Sequence, residues 1–164
     1  MAQPMRHFSL YSFVVSIVWL TFIVAISFIE APAKFEALGI QRTPEAVTVP
    51  LQNALQIGHV VFHKLNRIEW ICCGFLWFLM LRIRVVRTRG SVILLGVATA
   101  ILAWQTFLLY PALDLRVKEI LSGTLPPQTW HHTAFVVGEV VKVVSLGVLS
   151  AAQVQAFARA VISE

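Results

Sequence analysis

The sequence predicts an all-α integral membrane protein, a bundle of four transmembrane helices with both termini inside, and three observations carry that prediction. Hydrophobic residues make up 58% of the chain and charged residues 13%, against about 25% charged in soluble domains. The apolar residues fall into blocks close to the roughly 20 residues that a membrane-spanning helix needs. Arginines crowd into one short connection, which is how cytoplasmic loops are marked. The 164 residues are read as one transmembrane domain, 1–164, with spans at about 8–29, 55–81, 91–110 and 130–158.

The first block, Phe8 to Ile29, is about 33 Å long as a helix, slightly more than the roughly 30 Å hydrocarbon core. Arg6 before it and Ala31-Pro32-Ala33 after it imitate a cleaved signal peptide. A secretory apolar region is only about 7–15 residues, and Glu30 and Pro32 are unusual before a cleavage site, so the block is read as a retained span. The second block, Leu55 to Leu81, contains the polar run His63-Lys64-Leu65-Asn66-Arg67-Ile68-Glu69. Its remainder, Ile68 to Leu81, is too short to cross alone, so the span has to include polar groups. The third block, Ser91 to Tyr110, is an ordinary run of Leu, Ile, Val and Ala that Tyr110-Pro111 should close, an interfacial aromatic followed by a helix-breaking residue. The fourth follows Pro126-Pro127 and runs from Trp130 to Ala158, interrupted by Glu139 and Lys142.

Arg82, Arg84, Arg87 and Arg89 fall within eight residues without an acid between them, and Arg6 and Arg159 flank the termini. The other two loops mix signs: Lys34 and Arg42 with Glu36 and Glu45, Arg116 and Lys118 with Asp114 and Glu119. This asymmetry predicts N-in, C-in, in a multi-pass protein of the bacterial inner membrane. The formal charge of +5 reflects that topology. No helix carries a basic face, so nucleic acid is not an expected partner; the lipid bilayer is, with a membrane-protein partner or a second copy as further options.

On that topology the polar residues gather in the outer half. Glu30 ends helix one; His59, His63, Asn66, Arg67 and Glu69 occupy the entry of helix two; Tyr110, Asp114 and Arg116 lie at the outer end of helix three; His132, Glu139 and Lys142 occupy the start of helix four. The inner halves read as aliphatic, aromatic and small residues. A charge in hydrocarbon costs on the order of 2.5–3.5 kcal/mol to insert, so such groups face the bundle interior or water. Helical spacing puts His59, His63 and Asn66 on one stripe with Trp70, and His132, Glu139 and Lys142 on another. The expected arrangement is a polar seam between helices two and four, with Glu69 and Glu139 balanced by Arg67 and Lys142.

Two His at i and i+4 can share a metal, and one His from each of two facing helices can hold a haem, which makes His59, His63 and His132 candidate ligands of a metal ion or haem. Val60 stands where a zinc-protease motif needs Glu, so that chemistry is discarded. Cys72-Cys73 lacks ligand spacing and reads as small apolar packing; the five Trp and eleven Phe read mostly as lipid-facing or belt residues, not a cofactor box.

Phe28-Ile29-Glu30-Ala31-Pro32-Ala33-Lys34-Phe35, followed by Gly58, Phe62, Leu65, Asn66 and Glu69, resembles a family of small bacterial four-helix inner-membrane proteins with Ala-Pro-x-x-Phe after the first span. The likeness covers the first half of the chain, implies a four-helix inner-membrane fold and assigns no reaction. Three function classes fit: an accessory, structural or assembly subunit, which the short loops favour; a haem- or metal-binding membrane redox enzyme; and a small transporter or proton pathway through Glu69, Arg67, Glu139 and Lys142. A reporter fused at Gly90 is expected to be active in the cytoplasm; activity confined to the periplasm would reverse the orientation.

Overall fold

The computed structural model describes residues 3–40, 46–82, 88–127 and 129–162, and every regular element among them is helical. The orientation-marking side chains Arg6, Arg84, Arg87 and Arg159, and Arg42 and Glu45, lie outside the described residues. The elements are α1 (Gln3–Ile23), α2 (Ala31–Ala37), α3 (Val49–Arg82), α4 (Arg89–Trp104), α5 (Tyr110–Leu121) and α6 (His131–Ile162). A π segment, Val24–Glu30, joins α1 to α2, and a second, Gln105–Leu109, joins α4 to α5. The result is four rods, α1–α2, α3, α4–α5 and α6. Each packs on two neighbours, so that α3 and α6 stand at opposite corners.

Three stretches among the described residues are long and apolar enough to cross a membrane, Leu10–Ala37, Arg89–Leu121 and His131–Ala158, the architecture of a multi-pass membrane protein. Their outer faces are the apolar surface a lipid solvent requires: Phe107, Leu108, Val137, Val144 and Val148 are exposed. The α3 rod is mixed, with Ile71, Phe75, Phe78 and Leu81 exposed beyond its middle and the polar run in its first half.

Helix three does not stop at Tyr110-Pro111, as the sequence suggested; it continues as α5. Proline lacks an N–H and its ring collides with the carbonyl four residues back. Here that carbonyl belongs to Phe107, inside the π segment, where the turn is wider. Pro32 repeats the arrangement, four residues after Phe28 in the other π segment. Both rods thus pass a proline unbroken.

They also end alike. Gly39 (φ 64°) and Gly123 (φ 92°) are left-handed. Gly39 N donates to Glu36 O and Ile40 N to Phe35 O; Gly123 N donates to Ile120 O and Thr124 N to Glu119 O. This is the glycine-dependent Schellman stop. At the opposite end Thr88 caps α4, its Oγ1 accepting from Ser91 N at 3.1 Å.

The main core, built on Trp19, Ile23, Leu76, Met80, Leu95, Leu102, Leu146 and Leu149, fills the half of the bundle away from α2 and α5. A smaller cluster of Leu109, Tyr110 and Phe135, with Phe62 against it, lies toward the α2/α5 end. The Gly39→Ala and Gly123→Ala variants are each expected to lose about 1 kcal/mol of stability, because a Cβ opposes the left-handed backbone. Gly96→Ala, where helical backbone meets open space, is expected to be neutral or slightly stabilising; thermal unfolding in detergent measures all three.

Candidate functional site

The polar residues form two groups at different depths. The first lies at the α2/α5 end. His59 and His63, one turn apart on α3, meet with their rings tilted by 59° and their centroids 4.4 Å apart. Asp114 reaches them from α5: His59 Nε2 is 3.1 Å from Oδ1, and His63 Nε2 is 3.1 Å from both Oδ1 and Oδ2. One ligand atom from each of the three lies within 4.8 Å of the others. The three side chains are 37%, 38% and 26% exposed, a half-buried setting. Asp114 is in place because rod three continues past Pro111. Gln52 Nε2 then holds the far end of α5 through Ile120 O (3.2 Å) and Leu121 O (3.3 Å).

The arrangement fits a transition metal. Two imidazoles and a carboxylate are borderline donors suited to Zn²⁺, Fe²⁺ or their neighbours and not to Mg²⁺ or Ca²⁺. Tetrahedral ligands about 2.0–2.1 Å from zinc stand roughly 3.3 Å from one another, close to the separations of 3.1 Å found between the His nitrogens and Asp114. His132 does not join them. It is exposed on the first turn of α6, while His131 stacks on Trp130. The three residues whose ligand atoms converge are thus His59, His63 and Asp114. The third donor is Asp114, which the sequence left among the outer-end candidates.

The second group lies deeper. Lys142 is 0% exposed, Glu69 and Glu139 1% each. Lys142 Nζ donates to Glu69 Oε1 at 2.5 Å and to Glu139 Oε1 at 2.9 Å, joining the opposite corners α3 and α6. Trp19 Nε1 donates to Glu69 Oε1 (3.0 Å). Gln105 Nε2 donates to Glu139 Oε1 (2.9 Å) and Phe135 O (3.1 Å), and Ser27 Oγ to Glu139 Oε2 (3.3 Å). Ser27 and Gln105 belong to the two π segments, so both wide turns deliver a side chain to the same carboxylate. Gly138 makes room for this, since a Cβ there would stand 2.8 Å from Gln105 Nε2.

Arg67 is not part of the group. It and Lys64 are exposed on α3, so the balance expected of two cations falls to Lys142 alone. The stripe of His59, His63, Asn66 and Trp70 faces rod three and not helix four: Trp70 Nε1 donates to Thr106 Oγ1 (3.0 Å), whose hydroxyl lies 2.8 Å from Asn66 Oδ1. Tyr110 sits between the two groups, its hydroxyl donating to Phe62 O (3.0 Å) and its ring edge-on to Phe135. Glu30 pairs with Lys34 at 3.0 Å, and Arg116 donates to Pro126 O and Pro127 O, tying down the connection to α6.

Several residues escaped the sequence reading. Trp19 is fully buried and is no belt residue. Gln105 is the one side-chain amide in block three. The half read as aliphatic, aromatic and small residues also holds a buried polar cluster, with Gln153 Nε2 donating to Ser12 Oγ (2.7 Å) and Ser16 Oγ to Gln153 Oε1 (3.2 Å). Cys72 and Cys73 are buried and unbridged within the core.

Compared with protein-family models, with curated proteins and with solved structures, the chain matches none. Fold and site define its class: an all-α, multi-pass membrane protein with a His/His/Asp cluster able to coordinate a metal ion. Breaking a buried ion pair by removing one partner costs about 3–5 kcal/mol. Lys142→Met, which strands two carboxylates, is expected to lose that much in detergent unfolding, whereas Arg67→Met should change stability little.

Proposed function

We propose that this chain is a four-span, N-in/C-in protein of the bacterial inner membrane that works as a metal-dependent membrane enzyme, with the metal held by His59, His63 and Asp114 at the outer surface. The observation that carries this reading is the convergence of three ligand atoms from two helices within 4.8 Å. That cluster gives the chain a chemistry of its own, which an accessory subunit does not need. The resemblance to small four-helix inner-membrane proteins around Ala31-Pro32 agrees with the location.

The four-span topology follows from lengths. About 20 residues cross the hydrocarbon; counted back from Leu81 they reach Phe62, so Lys64 and Arg67 fall within two turns of the outer surface. There their long stems can carry the charge to water. His59, His63 and Asp114 fall at that surface, half wet and open to small molecules from outside. Arg82 and Arg89 mark the inner face.

Three protein ligands leave coordination positions free, the pattern of catalytic and not structural metal sites. A zinc ion so held would supply Lewis acidity and an activated water, an iron ion redox chemistry. The protein's part is to orient the donors. The α3 backbone fixes the two imidazoles one turn apart. Asp114 supplies negative charge, and Tyr110, its ring 5.2 Å from that of His63, walls off the site from the bundle interior.

Purified protein is expected to bind one equivalent of Zn²⁺ or Fe²⁺ after chelator treatment, as read by calorimetry and elemental analysis. His63→Ala and Asp114→Ala should each weaken binding at least tenfold, and His132→Ala should leave it unchanged. Unchanged metal content in the first two variants would refute the site.

A further inference from the structure

The buried group around Glu139 shows two deficits that one ligand removes. The first is charge. Two carboxylates, Glu69 and Glu139, share one ammonium, Lys142, and all three are sealed from solvent. Among the described residues, the elements packed around them bring no second cation to the group. Rod one contributes Trp19 and Ser27, both neutral; its Lys34, farther along, is engaged by Glu30. Rod three contributes Gln105 and, one layer on, Tyr110, and α3 adds the thiols Cys72 and Cys73. Arg67 points away. Fully ionised, the group carries one uncompensated negative charge in a low-dielectric interior, a state that buried groups avoid by taking up a counter-charge.

The second deficit is a hydrogen bond. Gln105, 1% exposed, donates from Nε2 to Phe135 O and Glu139 Oε1. Both partners are acceptors, which fixes the orientation of the amide. Its Oε1 is then left buried without any partner. An unpaired buried acceptor is rare and calls for an unseen donor or ion. This oxygen belongs to the amide whose Nε2 already touches Glu139, so the missing bond lies within one amide group of the missing charge.

We propose that Glu139 and Gln105 form a binding site for one monovalent cation, a proton or a sodium ion, at the centre of the bundle. A proton on the Glu139 carboxyl neutralises the group and provides an O–H for Gln105 Oε1. With the amide N–H already on the other carboxyl oxygen, this closes a paired acid–amide ring. A sodium ion meets the same needs with oxygen donors from Gln105, Glu139 and Ser27, hard ligands for a hard ion. The surroundings are built for such a pairing: two π segments aim Ser27 and Gln105 at one carboxylate, and Gly138 gives up its Cβ so that the amide can approach. This site shares no residue with the metal cluster and does not depend on it.

The test uses the full-length protein in nanodiscs at pH 7, chelator-treated so that the outer cluster does not contribute. Infrared difference spectra between H₂O and D₂O read the proton, and thermal unfolding in NaCl against choline chloride at equal ionic strength reads sodium. A protonated-carboxyl band that is lost in Glu139→Gln identifies a proton. A sodium-specific rise in unfolding temperature that is lost in the same variant identifies sodium. Should Glu139→Gln fail to fold, Gln105→Met gives the second reading: the carboxyl band shifts as its acceptor disappears, or the sodium effect falls at least tenfold in apparent affinity. Wild-type protein with neither the band nor a sodium-specific rise overturns the proposal, as does a band that Gln105→Met leaves unmoved when no sodium effect exists.

Discussion

A charge that cannot reach water must find its opposite within the protein, and Lys142 imposes that condition on the whole bundle. Between lipid-exposed helices no hydrophobic force acts, because the tails are as apolar as leucine; packing and polar contacts choose the arrangement. Here every rod supplies at least one polar group to the same cluster: Trp19 and Ser27 from the first, Glu69 from the second, Gln105 from the third, Glu139 and Lys142 from the fourth. A slip of α6 by one turn, about 5.4 Å, would carry the ammonium into the layer of Leu102 and Leu146 and leave both carboxylates bare. Register and rotation of all four rods are tied to this one contact set.

The prolines act on the same layer from a distance. Were rods one and three to end at Pro32 and Pro111, the chain would lose α2, α5 and with them Asp114. The π segments let the helices pass, and because a wide turn changes which residues face inward, they also aim Ser27 and Gln105 at Glu139. One local solution to a missing backbone N–H thereby supports both polar groups, the shallow one through α5 and the deep one through the turns themselves.

Much of this was legible in the sequence, and the gaps have physical causes. Apolar block length gave the helices, and insertion cost placed Glu69, Glu139 and Lys142 inside before any contact was known. Spacing says which residues share a face of one helix, but it does not say which neighbour that face meets. At 100° per residue α3 carries two stripes roughly a third of a turn apart, His59-His63-Asn66-Trp70 and Leu65-Glu69-Cys72-Leu76. The first faces rod three and the second the bundle centre. With the neighbours unknown, His132 stands beside His59 and His63 as a candidate ligand and Arg67 beside Lys142 as a counter-charge for the carboxylates. Asp114 is legible as an outer-end candidate and not as a partner of the histidines, because it follows a proline and sits among charges of both signs, as loop residues do. Trp19 and Gln105 looked ordinary because a lone indole or amide reveals its partner only when the facing helix is known.

The two polar groups are kept apart by aromatic rings, and that separation decides what each can do. Phe62, Tyr110 and Phe135 fill the level between them, and the one hydroxyl in that layer is spent on Phe62 O. On the shallow side an imidazole pair stays half wet, so its ligands can exchange with molecules in the aqueous phase. On the deep side the charges are sealed from bulk solvent, so an unmatched donor or acceptor there is costly. Phe135 belongs to both sides, its ring against Tyr110 and its carbonyl holding Gln105. A displacement of that ring would loosen the amide that bonds Glu139 and open the seal above it in the same movement. The aromatic layer is therefore the one piece of packing that the shallow and the deep polar groups share.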